Sequence, residues 1–321
     1  MPEIRLGPFS ALQPFGQGGM AEVWRGLHRA QGVPVAIKFV SHSEELSETW
    51  FEQFRSEVRA VAGLNHDSIV MVFDHGRVDA QAAAASGGAI KEGTPWLAME
   101  FCSGQSLFHV RPTQFEELAD ILDRILSALA YAHARGVLHR DLKPDNVMFS
   151  TGEDARPGLK LTDFGLAFDL GDVIDDESRT VGTPHYMAPE QCYGNWRDYG
   201  PWTDLYAVGC LAWDLCTGRP PFFGHKRLVQ LLTAHVRQPL PELRPSFDIP
   251  EGFEGWMRRL LEKLASERFQ NAADARESLR RLVKGELPRW QNPMTENPEL
   301  RDSQTIMVDI SPFREPDPHQ H

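Results

Sequence analysis

Asp141, Lys143 and Asn146 fall within six residues of one another, in the block His139-Arg140-Asp141-Leu142-Lys143-Pro144-Asp145-Asn146. Asp163, in Asp163-Phe164-Gly165, follows Asn146 by seventeen residues. Such residue types suit phosphoryl transfer, which needs a positioned nucleophile, neutralised phosphate charge and cations clamped by oxygen ligands. Asp141 is the candidate base or orienter for an attacking hydroxyl. Asn146 and Asp163 offer hard oxygens for Mg²⁺, and Lys143 can stabilise charge on the group in transfer. An isolated Asp-Phe-Gly is common in ordinary loops; the eight-residue block is not.

A phosphate-covering element lies near the start of the chain. Gly16-Gln17-Gly18-Gly19-Met20-Ala21-Glu22-Val23 stands between two strand-like segments, and glycines let a backbone approach phosphate oxygens closely. A tight hairpin would ask for the same glycines. A dinucleotide-binding turn should open a helix, whereas Glu22 to Gly26 reads as strand, and the G-x-x-x-x-G-K-[ST] phosphate loop is missing. Val35-Ala36-Ile37-Lys38 strengthens the phosphate reading, because on the next strand of a hairpin the Lys38 ammonium could reach phosphates beneath the loop. Glu57, beside the apolar face of a helix, could pair with Lys38 and orient it, although a solvated glutamate is the bland alternative.

These groups need elements to hold them. The first hundred residues read mostly as strand, interrupted by a helix over about 47–63 in which Phe51, Phe54, Val58, Val61 and Ala62 recur at helical spacing. The Ala- and Gly-rich stretch 79–94 reads as a flexible surface loop. Beyond Gly104 the period changes from two to 3.6. Phe115, Leu118, Ala119, Leu122, Ile125, Leu126 and Leu129 mark a long amphipathic helix. Another runs from about 203 to a stop at Gly218, with Pro220 and Pro221 beyond. Two more are expected over 253–264 and 271–283, the latter capped by Asn271.

Bulk composition sets bounds. With 41% hydrophobic and 24% charged residues, the chain is an ordinary globular one. A net charge of −12 and the lack of a Lys/Arg cluster argue against a nucleic-acid partner. No apolar run is long enough to span a membrane, and nothing at Met1 to Arg5 resembles a signal peptide, so a cytoplasmic protein is expected. Cys102, Cys192, Cys210 and Cys216 show no paired spacing and are expected to be reduced and buried; twelve histidines show no zinc-ligand spacing.

The glycine loop, Val35-Ala36-Ile37-Lys38, the 139–146 block, Asp163-Phe164-Gly165 and Ala188-Pro189-Glu190 occur in an order that resembles the eukaryotic-type (Hanks-type) protein kinases from about Leu6 to Val283. Gly18-Gly19-Met20 resembles the bacterial members. Lys143 and Gly182-Thr183-Pro184-His185-Tyr186 match the serine/threonine pattern. The resemblance implies an α+β, two-lobed fold: an N-lobe at 6–103 with an antiparallel sheet plus one helix and a mainly helical C-lobe at 104–284; the proline-rich, acidic composition of 285–321 reads as a disordered tail. The resemblance also implies ATP with Mg²⁺, or Mn²⁺ in its place, and protein substrates with Ser/Thr acceptors. By position, Val23, Ala36 and Met148 would sandwich adenine. Met99 would be the gatekeeper, and Glu100, Phe101 and Cys102 the hinge. Lys38 and Glu57 would serve the phosphates, Thr183 would help seat the hydroxyl, and Asn146 and Asp163 would hold metal. Asp204 would anchor the catalytic loop, His139 and Phe164 would pack, and Arg268 would pair with Glu190. Ala21, in place of the third glycine, and Ala207, where many members carry serine, are the departures.

Arg140 beside Asp141 marks a basic pocket for a phosphate on the activation segment, where Thr180 is the first candidate for autophosphorylation and Ser178 the second. A pseudokinase or scaffold that binds ATP without catalysis is the competing reading. It should lack Lys38, Asp141, Asn146 or Asp163, and all four are present. The 302–308 run within the tail could be a docking strand or phosphorylated ligand, or a linker remnant. Substrate identity and oligomeric state leave no mark in the sequence.

Overall fold

The computed structural model describes residues 3–17, 21–40, 48–152, 154, 156–164, 184–194, 196–225 and 227–286. Strands β1 (Ile4–Leu6), β2 (Phe9–Gln17), β3 (Ala21–His28) and β4 (Pro34–Val40) lead into helix α1 (Glu48–Ala62). Then come β5 (Val72–Arg77), the short helix α2 (Ala80–Ala85) and β6 (Pro95–Glu100). These strands form one antiparallel sheet in the order β1-β2-β3-β4-β6-β5.

Side-chain alternation along β4 explains where Lys38 goes. Val35, Ile37 and Phe39 enter one apolar cluster, with Trp24, Trp96, Phe9 and Ile4. Ala36 enters the other, with Phe51, Phe54 and Val58 of α1. The two-residue period of a strand therefore puts Lys38 on the α1 side.

Residues 79–94 are not a flexible surface loop. Asp79 caps α2, its Oδ1 accepting from Ala82 N at 2.7 Å, and Ser86 Oγ accepts from Ile90 N at 3.0 Å. Ala82 and Ile90 are buried, with Val78, against the face of the sheet away from α1. The alanines of α2 carry too little apolar area to show as a periodic signal, yet buried Val78, Ala82 and Ile90 together with the Asp79 cap hold the segment down. The sheet thus carries two helices, not one.

Past β6 the chain is mainly helical: α3 (Phe115–His133), the hairpin β7 (Val147–Ser150) and β8 (Gly158–Leu161), α4 (Pro189–Cys192), α5 (Pro201–Thr217), α6 (Leu228–Arg237), α7 (Phe253–Leu260) and α8 (Ala272–Val283). Gly218 ends α5 in the left-handed region, with φ +85°, which glycine adopts at no steric cost. Asn271 Oδ1 caps α8 by accepting from Asp274 N at 2.8 Å. The core joins Leu118, Leu122, Ile125 and Leu129 of α3 to Leu205, Val208 and Leu211 of α5 and to α7 and α8. Val61, Leu64 and Ile69 belong to the same cluster, so the end of α1 is moored to the helical lobe. The four cysteines are free and buried. No helix among the described residues is long and apolar enough to cross a membrane. Residues 287–321, where the disordered tail is expected, lie outside the described residues.

Candidate active site

A carboxylate buried at the start of α5 organises the loop that carries Asp141. Asp204 Oδ2 accepts from His139 N and Oδ1 from Arg140 N, each at 2.8 Å. His133 Nε2 lies 2.7 Å from Oδ2. Burial works against the charge on Asp204, but the His133 contact and the neighbouring donors outweigh it and hold its pKa below the ordinary value. The anchor matters because Arg140, with φ +65°, sits in a region that costs a non-glycine residue about 1–3 kcal/mol. Asp163 shares that strain, with φ +64°. His139 is fully buried, its pKa lowered by that burial, and its ring packs on Phe164 with centroids 4.6 Å apart.

Two donors converge on Asp141. Lys143 Nζ lies 2.6 Å from Asp141 Oδ2. Asn146 Nδ2 donates to the same oxygen at 3.0 Å and to the Asp141 carbonyl at 2.7 Å. With its amide nitrogen committed, Asn146 has its carbonyl oxygen left for a cation. Asp163 supplies a second hard oxygen donor. Burial again opposes its ionisation, and the Lys38 charge and hydrogen bond more than compensate, so its pKa is lowered. These donors fit Mg²⁺, which takes one or two protein oxygens and completes its shell with phosphate and water. No group of three or more His, Cys, Asp or Glu able to hold a metal occurs among the described residues.

Lys38 and Glu57 are not paired with each other. Lys38 Nζ donates to Asp163 Oδ1 at 2.6 Å, while Glu57 Oε1 accepts from Arg140 Nη1 at 3.3 Å. Both ammonium and carboxylate have other partners within reach, and those partners have won. Glu57 Oε2 is buried without a hydrogen-bond partner among the described residues, and burial raises the Glu57 pKa despite Arg140. A small apolar cavity walled by Val58, Val61, Met99, Leu161 and Phe164 lies between α1 and the Asp163 segment.

The residues expected around adenine are brought together. Val23 and Met148 pack against the cluster containing Ala36, Met99 and Cys102. Glu100 ends β6. Burial, reinforced by the Glu100 charge, pushes the Cys102 thiol up to about 12, so it is no nucleophile at neutral pH. Sequence reasoning missed Phe15, whose half-exposed ring meets that of Phe101 edge-on at 5.1 Å. Its place immediately before Gly16 was the available signal. Gly16 and Gln17 pair with Val23 and Glu22, and Ala21 with Val40. Gly18, Gly19, Met20, Gly165, Ser178, Thr180 and Thr183 lie outside the described residues.

Below the cleft, Arg268 Nη1 and Nη2 donate to the two carboxylate oxygens of Glu190 at 2.8 and 3.0 Å. Arg268 is 1% exposed. Arg268→Ala would leave Glu190 charged and buried, so it is expected to cost about 3–5 kcal/mol, measured by urea unfolding.

A curled antiparallel sheet over a helical lobe, with Lys38, Asp141, Asn146 and Asp163 at their junction, defines a two-lobed kinase. The comparisons agree. The protein kinase domain model matches residues 9–283. The serine/threonine-protein kinase Pkn1 of Myxococcus xanthus is 34% identical over 86% of this chain and 38% of its own length. PknB of Mycobacterium leprae, also a serine/threonine-protein kinase, is 30% identical over 88% of this chain and 44% of its own. The crystal structure of the Mycobacterium tuberculosis PknI kinase domain superposes with a TM-score of 0.61 at 23% identity, covering 87% of this chain and 98% of that one. The chain belongs to the protein kinase domain family, in its eukaryotic-type, bacterial branch. It spans 38% and 44% of the lengths of those two curated relatives.

Proposed function

We propose that this chain transfers the γ-phosphate of ATP, as its magnesium complex, to serine and threonine hydroxyls of proteins, its own activation segment included. The observation that carries this reading is the convergence of Lys143 and Asn146 on Asp141, close enough to the Lys38–Asp163 pair for Asp163 to feel the Lys143 charge. Asp141 accepts the substrate proton, and Lys143 offsets charge on the transferring group. When bound, Mg²⁺ neutralises phosphate charge, and Asp163 and Asn146 are the residues that would hold it. Backbone groups of Glu100 and Cys102 read the base edge, with Val23, Ala36 and Met148 on its faces.

The paired side chains support a resting arrangement of the same enzyme. Lys38 holds Asp163, and Arg140 holds Glu57. A phosphate on Thr180 would compete for Arg140, since a dianion outbids a carboxylate held at 3.3 Å. Glu57 is then free for Lys38, and Lys38 leaves Asp163 to the metal.

Incubation with labelled ATP and Mg²⁺ should label the chain and a generic protein substrate, and EDTA should reduce incorporation to background. Mass spectrometry should place phosphate on Thr180. Thr180→Ala should lower the rate about tenfold or more if the phosphate orders the loop. Nucleotide binding with no incorporation into either acceptor would favour the scaffold reading; an unmodified Thr180 in active protein would remove the switch.

A further inference from the structure

Residues 101–103 carry the chain from β6 into the helical lobe, and the chain then runs along β7. Gly104 N donates to Phe149 O and Phe149 N to Gln105 O, both at 3.0 Å. A Cβ on Gly104 would sit 2.3 Å from Phe149 O, so a side chain there would force the two segments apart. Two further grips on this crossing come from the turn between β7 and β8.

Asp154 in that turn takes the far end. Its Oδ2 accepts from Ser103 N at 3.1 Å and Ser103 Oγ at 2.8 Å, and within its own hairpin from Ser150 Oγ at 2.7 Å and Thr151 N at 2.8 Å. Burial disfavours the charge, but the Ser103 N–H and the serine hydroxyls outweigh it, and the Asp154 pKa is lowered. Two residues on, Arg156 takes the near end. Its Nη1 donates to Glu100 Oε2 at 3.2 Å, and its Nη2 donates to the carbonyls of His66 and Ile69 in the segment after α1. Glu100 Oε2 also accepts from Met71 N at 3.1 Å. Lys160 of β8, fully buried, lies 3.5 Å from Glu100 Oε1 and donates to Asp67 O at 2.6 Å.

A buried glutamate needs cationic partners in any fold, so Arg156 and Lys160 could be stabilising and nothing more. Two facts say otherwise for the turn. Its charged side chains reach outward to Glu100 and Ser103, the residues that bracket the crossing. Residues 100–102 carry the backbone groups that, on the proposed reading, meet a base edge within hydrogen-bond tolerance. We propose that Asp154 and Arg156 are positioning residues for nucleotide binding, acting through Ser103 and Glu100 to fix the pitch of the linker. They touch no substrate. The proposal rests on the reading of residues 100–102 as the segment that meets adenine.

A loosened linker weakens the adenine contacts equally before and during phosphoryl transfer. Loss of such uniform binding raises KM and leaves kcat alone. Asp154→Ala and Arg156→Ala are expected to raise the KM for ATP and the Kd for ADP roughly five- to twentyfold, the scale of one or two charge-assisted hydrogen bonds partly transmitted. The kcat at saturating ATP should stay within about twofold. Asp154→Asn, which keeps an acceptor, should recover most of the loss. Inhibition by inorganic tripolyphosphate, which has no base, should be unchanged.

The full chain is used throughout, with a fluorescent ADP analogue for Kd and steady-state assays for KM and kcat. Ser103→Ala removes the hydroxyl contacts to Asp154 and Thr151 but keeps the Ser103 N–H bond, and serves if an alanine variant at Asp154 or Arg156 does not fold; it should raise KM about two- to threefold, a hydroxyl bond partly transmitted. A lowered melting temperature with KM and Kd at wild-type values would make the turn a plain structural anchor and end the proposal. So would a fall in kcat at constant KM, or equal weakening of tripolyphosphate. Wild-type protein that binds no adenine nucleotide would overturn the cleft reading itself, a result distinct from binding that the variants leave intact.

Discussion

Asp141→Asn is expected to lower the rate of phosphoryl transfer by about 10²–10⁴ while leaving ATP binding within a few-fold of wild type. The substitution keeps size and one acceptor oxygen, so Lys143 and Asn146, at 2.6 and 3.0 Å from Asp141 Oδ2, retain a partner. The backbone just before it is held by Asp204 through His139 N and Arg140 N, independently of the Asp141 side chain. What disappears is a base able to accept the proton of a serine or threonine as its oxygen attacks. Steady-state assays with a protein acceptor, ADP titrations and a thermal melt together separate this from misfolding. A variant within about tenfold of wild type would move the base elsewhere, because a positioned base contributes more than that.

Positions fixed by local periodicity are legible in the sequence. Alternation in Val35-Ala36-Ile37-Lys38 places Lys38 opposite the buried aromatic face, as the split of β4 between two clusters shows. The expected helices over 47–63 and from about 203 to Gly218 correspond to Glu48–Ala62 and Pro201–Thr217. The expected 253–264 helix is shorter, Phe253–Leu260, because Leu261, with φ −95° and ψ 9°, has already left helical geometry. Residues 79–94 read wrongly as a loop since alanine carries little hydrophobic signal; the Asp79 cap is the cue to weigh. Helix α6, Leu228–Arg237, is missing from the expected elements altogether. Partner choice is harder still. Lys38 can reach Asp163 or Glu57, and Glu57 can reach Lys38 or Arg140. Spacing along the chain does not decide between them, because the partners come from elements far apart in sequence. Asp154 and Arg156 carry no signal in the sequence; the folded hairpin brings them beside Ser103 and Glu100.

That competition yields the second large effect. Glu57→Gln is expected to reduce kcat/KM by about 10²-fold, on the scale of removing one group that orients charge in a preorganised site. In the structure Glu57 is poorly served: one 3.3 Å contact to Arg140 and a second oxygen buried without a partner among the described residues. Burial raises its pKa above the unfolded value, so its ionised form at neutral pH carries a penalty that is relieved as pH falls through the folded pKa. Glutamine removes the penalty at every pH. Stability should therefore change by no more than about 1 kcal/mol at neutral pH, the scale of a partly exposed ion pair. Any advantage of the variant over wild type should shrink in acid. Activity is a different matter, because on the proposed reading Lys38 leaves Asp163 for the nucleotide phosphates and Glu57 is the carboxylate that orients it there. Rate measurements beside urea titrations at neutral and acidic pH decide the point. A stable variant with full activity would mean that Glu57 serves Arg140 alone and that the arrangement seen here is already the working one. A stable variant that binds nucleotide but transfers phosphate slowly would show that the Lys38–Asp163 pair must open, with Glu57 as the group that opens it.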